Sequence, residues 1–168
     1  MTNDSEIAER CRIIRDYGQR GRFNYVTLGN NYHMTELQAA VGVVQARKIE
    51  EIVRRKREAA KMYDELLSGL PGVKTPIEKS YVRHAFMSYY IRVPRRVRDE
   101  LRSYLEANGV ETRVYFPPLH RQPAFAKYSA GRLPVTEEVY GEVLNLPMSP
   151  LISEDEIAYV CRLVAEYV

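Results

Sequence analysis

The chain has no tryptophan, two cysteines, three histidines and no apolar run near the ~20 residues of a membrane span. Each scarcity excludes something. Cys11 and Cys161 lie at opposite ends and form no CxxC pair, so no zinc or redox motif is visible. Both are expected to be buried structural thiols in a reducing compartment. His33, His84 and His120 are too far apart in sequence for metal-ligand spacing, and no metal is expected. GxGxxG, GxxxxGK[ST] and GxSxG are all missing, which removes the common nucleotide loops and the nucleophile elbow. The polar start, Met1 to Glu6, lacks the basic-then-apolar order of a signal peptide, and a cytoplasmic location is expected. A net charge of +3 is too mild to suggest nucleic acid.

What is present suits a soluble globular domain of 168 residues, with 13 tyrosines as its unusual feature. Residues 4–17 read as a helix capped by Asp4 or Ser5 and ended by Gly18. Residues 18–34, rich in glycine and asparagine, read as a loop long enough to be functional or packed on a partner. Thr35 with Gln38 makes a capping box for a helix that runs to about Leu67, with an apolar stripe from Leu37 through Val41, Val44 and Ile49. A helix of that length usually bridges domains or crosses a subunit interface. Its basic run, Arg54 to Arg57, is expected to be a solvated face rather than a nucleic-acid contact. Strands are expected at Phe86–Val93 and Glu111–Phe116, and an extended piece at Leu144–Met148. Helices are expected at 95–107, with Arg95, Arg96, Arg98 and Arg102 outward, at 123–128, at 136–143 and, after a Ser153/Glu156 capping box, at 154–167. The order gives a small α+β domain, one sheet with helices on one face.

Two segments could carry chemistry. In Gly29 to Ala40 a polar turn holding Asn30 and Asn31 feeds a helix N-terminus. Backbone donors and the helix dipole favour an anion such as phosphate there, though an ordinary capped helix start reads the same way. In Tyr115 to His120 two prolines stiffen a turn holding Tyr115 and His120, which suits a site wall or plain packing.

These residues carry a family resemblance. Gly29-Asn30-Asn31-Tyr32-His33-Met34-Thr35-Glu36-Leu37-Gln38-Ala39-Ala40 is similar to the "G-x-N-y-R-m-t-e-l-q-A-A" block of the DegT/DnrJ/EryC1/StrS aminotransferases. Asp16-Tyr17-Gly18, Arg57 with Tyr63, Phe86–Val93, Gly109–Thr112, Pro118-Leu119-His120 and Leu144–Pro150 resemble further blocks of that family in the same order. The resemblance implies the C-terminal portion of a fold-type-I enzyme: a small, mostly antiparallel sheet with helices on one face, preceded by a long interdomain helix. It implies residues 1–34 as the tail end of the large, cofactor-bearing domain, 35–68 as the connecting helix and 69–168 as the small α+β domain. It also implies pyridoxal phosphate in the assembled enzyme, a keto-sugar nucleotide as substrate, glutamate as amino donor, and a homodimer or a separate large-domain polypeptide as partner. Asn31 aligns with an asparagine that reaches the cofactor phosphate of the neighbouring subunit. His33 stands where the family has arginine, Tyr115 and His120 align with the sugar-nucleotide pocket, and the resemblance implies these three as the substrate-binding residues.

Thr2-Asn3-Asp4 to Arg10 resembles text that follows the family's cofactor-lysine region. None of Lys48, Lys56, Lys61, Lys74, Lys79 and Lys127 has that lysine's context, so the Schiff-base lysine is expected to be absent and the chain inactive alone. The alternative is a stand-alone, non-catalytic binding, oligomerisation or regulatory module derived from the same family.

Overall fold

The computed structural model describes residues 2–128 and 131–168; Met1, Ser129 and Ala130 lie outside the described residues. The chain divides into two compact units, Met1–Lys48 and Ile49–Val168, and the division falls inside one long helix.

In the first unit, α1 (Ser5–Arg15) starts where the Asp4 carboxylate accepts from the Glu6 and Ile7 N–H groups at 2.9 and 3.1 Å. Such a cap satisfies donors that a first helical turn leaves free. The exit is at Gly18, which takes φ +77° and donates its N–H to Ile13 O at 2.8 Å. The chain then closes on itself. Tyr17 N–H donates to Asn30 O and Tyr32 N–H to Arg15 O, forming an antiparallel bridge between Asp16 and Asn31. The base of this loop has no room for a side chain, since a Cβ on Gly29 would stand 2.1 Å from Gly18 N. Cys11 is exposed on α1, contrary to the expectation of a buried thiol.

α2 (Glu36–Leu67) opens with the expected box: Gln38 N–H donates to Thr35 Oγ1 at 3.3 Å and Thr35 N–H to Gln38 Oε1 at 3.1 Å. Its apolar stripe splits into two regimes. Leu37, Val41, Val44 and Ile49 are exposed, whereas Ala59, Ala60, Tyr63 and Leu67 are buried. Within the basic run, Arg54 pairs with Glu51 and Glu58 and Arg55 with Glu51 along the helix itself, whereas Arg57 pairs with Glu78 beyond it.

The second unit is built on an antiparallel pair, β1 (Tyr89–Arg92) and β2 (Val143–Leu146), with Tyr89 opposite Leu146 and Ile91 opposite Leu144. Those four side chains point into the core with Leu101 and Leu105 of α3 (Arg95–Ala107) and Ile157, Val160 and Val164 of α5 (Glu154–Tyr167). Tyr63 stacks on Tyr89 at 4.6 Å between ring centres. Both hydroxyls find acceptors: Tyr63 donates to Pro147 O at 2.8 Å and Tyr89 to Asp64 Oδ1 at 2.6 Å. Ser153 caps α5 in a complete capping box. The result is an α+β fold with a small antiparallel sheet, as expected.

Three details differ from expectation. The first strand starts only at Tyr89, because Phe86 has φ +45° and its N–H donates to His84 Nδ1. The strand expected at Glu111–Phe116 shrinks to one bridge, Arg113 to Asn145. Two residues later the Tyr115 N–H turns to the Asn145 side chain at 3.2 Å, and the prolines that follow have no N–H to continue a ladder. Arg98 is not outward: its side chain is 12% exposed and its guanidinium lies over the Tyr140 ring at 5.9 Å.

Candidate functional site

The anion-site residues fall in the closed loop of the first unit. Asn31 is exposed, and its Oδ1 accepts from His33 N–H at 3.2 Å, which leaves its amide group as the outward donor. His33 Nε2 lies 3.0 Å from Asp16 Oδ1. Asp16 Oδ2 accepts from Gln19 Nε2 at 2.9 Å. The Gln19 hydrogen bond first, then His33, holds the Asp16 carboxyl below its ordinary range. His33 is therefore tied to the carboxylate of its own loop. The N-terminal donors of α2 are partly taken by the Thr35/Gln38 box, while the Asn31 amide group stays on the exposed side of the loop.

The second unit contains a cleft of ≈ 480 Å³ on the sheet face opposite the core. Tyr90, Val143 and Asn145 form its floor. Tyr115, Phe116 and Pro118 form one wall, and Val135, Thr136, Val139 and Tyr140 of α4 (Pro134–Glu142) form the other. The Tyr115 and Phe116 rings stack at 4.9 Å. Asn145 is 6% exposed and anchors the first wall by accepting from Tyr115 N–H. Aromatic faces with a few fixed polar groups suit a planar or sugar-like ligand that needs orientation.

The structure does not bring Tyr115 and His120 into one cleft. Tyr115 lines the aromatic cleft, whereas His120 faces a neighbouring cleft with Arg95, Arg132 and Glu137. His120 Nε2 stands 2.5 Å from Glu137 Oε1 with its side chain 14% exposed. Ser88, Tyr90, Tyr140 and Asn145 were not singled out by sequence reasoning. Asn145 had a readable signal, as the lone polar residue in Val143-Leu144-Asn145-Leu146. Among the described residues, no three His, Cys, Asp or Glu side chains are grouped to hold a metal ion, and no helix is long and apolar enough to cross a membrane.

Comparison with known proteins gives a consistent pattern. The profile of the DegT/DnrJ/EryC1/StrS aminotransferase family matches residues 1–165. A "Pleiotropic regulatory protein" of Geobacillus stearothermophilus is 40% identical over 99% of this chain and 46% of its own length. The dTDP-3-amino-3,4,6-trideoxy-alpha-D-glucose transaminase of Streptomyces venezuelae is 34% identical over 99% of this chain and 44% of its own. The structure of S. venezuelae DesV superimposes with a TM-score of 0.91 at 34% identity, again over 99% of this chain and 45% of that one. A Brucella abortus aminotransferase of the family superimposes with a TM-score of 0.89 at 30% identity, over 99% of this chain and 45% of that one. The chain thus spans about half the length of the relatives it matches.

Proposed function

Since the chain belongs to the DegT/DnrJ/EryC1/StrS aminotransferase family, we propose that it is the C-terminal part of a pyridoxal-phosphate-dependent aminotransferase that uses a keto-sugar nucleotide and takes its amino group from glutamate. The observation that carries this reading is the match along almost the whole chain, in sequence and in fold, to less than half of each relative. Residues 1–34 then close the large domain, 35–68 connect, and 69–168 form the small domain.

The residues present fit part of a cofactor site. The Asn31 amide is a neutral donor, turned outward by its own Oδ1 contact, and suits one phosphate oxygen. Bound pyridoxal phosphate supplies the electron sink for moving the amino group. This chain's own residues bind and orient. Asn31 holds phosphate, His33 is steadied by Asp16 beside it, and Tyr115 with Phe116 walls the sugar-nucleotide side and excludes water. The exposed apolar residues Phe23, Leu28, Met34, Leu37 and Val41 require cover, which a second copy of the enzyme or a large-domain polypeptide would provide. Two free cysteines suit a reducing compartment, and we place the assembled enzyme in the cytoplasm.

The chain alone should not transaminate, because none of its six lysines takes the role of the cofactor lysine. Treating it with pyridoxal phosphate and borohydride should label no lysine specifically. A single, stably labelled lysine would sink this reading. The second reading, a non-catalytic regulatory or oligomerisation module, is favoured by the name of the Geobacillus relative and by the exposed stripe of α2. Sedimentation with an added large-domain polypeptide discriminates: a chain that ignores the polypeptide and stays a tight dimer of itself favours the module, and one that joins the polypeptide favours the enzyme.

A further inference from the structure

We infer that Glu137 is a positioning residue: gripped by His120 and Arg121, it holds α4 at a set distance from the Tyr115–Phe116 wall and thereby shapes the aromatic cleft. The inference rests on reading that cleft as one wall of the sugar-nucleotide site.

The argument starts from the two faces of α4. Residues 135, 136, 139 and 140 line the cleft, while 137, 138, 141 and 142 face away from it. The far face is acidic and is held at both ends. At its C-terminal end Arg92 of β1 pairs with Glu142 at 2.6 Å and with Glu138 at 3.3 Å, and the Arg95 stem packs against Gly141. At its N-terminal end Glu137 takes His120 Nε2 at 2.5 Å and Arg121 Nε at 2.8 Å, and the Arg121 guanidinium closes a second contact with its other oxygen. Arg121 also lies over the ring of Tyr140, a cleft residue of α4, at 5.5 Å.

His120 and Arg121 are two and three residues beyond Pro118, which lines the opposite wall. One short segment, Pro118–Arg121, therefore carries both an edge of the cleft wall and the grip on the facing helix. His120 and Glu137 lie 17 residues apart in sequence, with residues 124–128 between them exposed, and the charge-assisted contacts join the two directly. His120, which the family alignment places at the pocket, acts here through Glu137 rather than by touching a ligand in the cleft.

The test compares Glu137→Ala, His120→Ala and His120→Gln in this chain by methyl NMR, with UDP as the probe ligand. Glu137→Ala should shift the Val135 and Val139 methyl resonances, leave those of Leu101 and Leu105 in the core in place, and weaken UDP about tenfold. His120→Ala should reproduce this. His120→Gln, whose amide can still donate to the carboxylate, should return UDP affinity to within about twofold of the parent. Unmoved cleft methyls in Glu137→Ala, or identical behaviour of His120→Ala and His120→Gln, would overturn the inference. If Glu137→Ala does not fold, the two His120 variants decide it. A parent chain whose cleft methyls ignore UDP overturns the reading of the cleft as a substrate wall, while the methyl shifts still decide the role of Glu137.

Discussion

The two units of the chain hold their shapes by different means. In Ile49–Val168, burial dominates: Tyr63, Leu67, Tyr89, Ile91, Leu101, Leu105 and Leu144 are fully enclosed in one cluster. In Met1–Lys48, Ile13 is the buried hydrophobic side chain among the described residues, while Leu28 and Leu37 are 94% and 82% exposed. That unit is shaped by caps, a bridge and a pinched glycine pair. Hydrogen bonds can fix a conformation locally, but each contributes only about 1 kcal/mol net, whereas burying an apolar side chain contributes roughly 1.5–3 kcal/mol. The first unit is thus specified more than it is stabilised. Its large apolar side chains stay mostly exposed.

The largest expected contrast is chemical. Burial pushes the Cys161 thiol up to about 12, while Cys11 stands exposed. Iodoacetamide should alkylate Cys11 in the folded chain and reach Cys161 roughly a thousandfold more slowly, until denaturant equalises them. Equal rates in the folded chain would dissolve the distinction between the units. Next, one substitution made in both places should give unequal losses. Leu101→Ala should cost about 3 kcal/mol in urea unfolding, and Leu37→Ala less than about 0.5 kcal/mol. A smaller effect is expected of Tyr63→Phe. It keeps the stacked ring but leaves Pro147 O without its donor, for about 1 kcal/mol.

The smallest effect concerns a tether inside the second unit. Glu78 is held down to about 2 by Arg57 first and then by the His84 N–H. A depressed acid pKa adds stability above the unfolded value, here 4.5, and loses it as pH falls from 4.5 through about 2. Hydrogen exchange at the His84 amide, corrected for intrinsic rate, should lose protection across that window. In Glu78→Gln the residual protection should be flat with pH.

Much of this architecture is legible along the chain. The helices announce themselves by period and caps: Asp4, Thr35/Gln38 and Ser153/Glu156 all cap as the sequence predicts. The strand at 111–116 was misread because its aromatic and β-branched content looks extended. What decides pairing is where the N–H groups go, and Tyr115 gives its own to a side chain 30 residues away. The stripe of α2 has helical spacing throughout, but spacing cannot say which half meets a core in this chain. His120 was legible as a held residue and not as a partner of Glu137, since that contact joins elements 17 residues apart. The arginine pairs within α2 were easier to foresee, because i,i+3 and i,i+4 neighbours are set by the helix itself.

The pinch at Gly18 and Gly29 has a consequence for how this loop can vary. A Cβ at either position would meet backbone at about 2 Å, from Thr27 O in one case and Gly18 N in the other. The neck is therefore rigid while the turn beyond it, 20–26, is exposed. A change of length at that tip should leave Asn31 in place, because its bridge to Asp16 is made at the neck. The position of Asn31 is thus written in the neck, where residues 16–18 meet residues 29–32, and not in the tip.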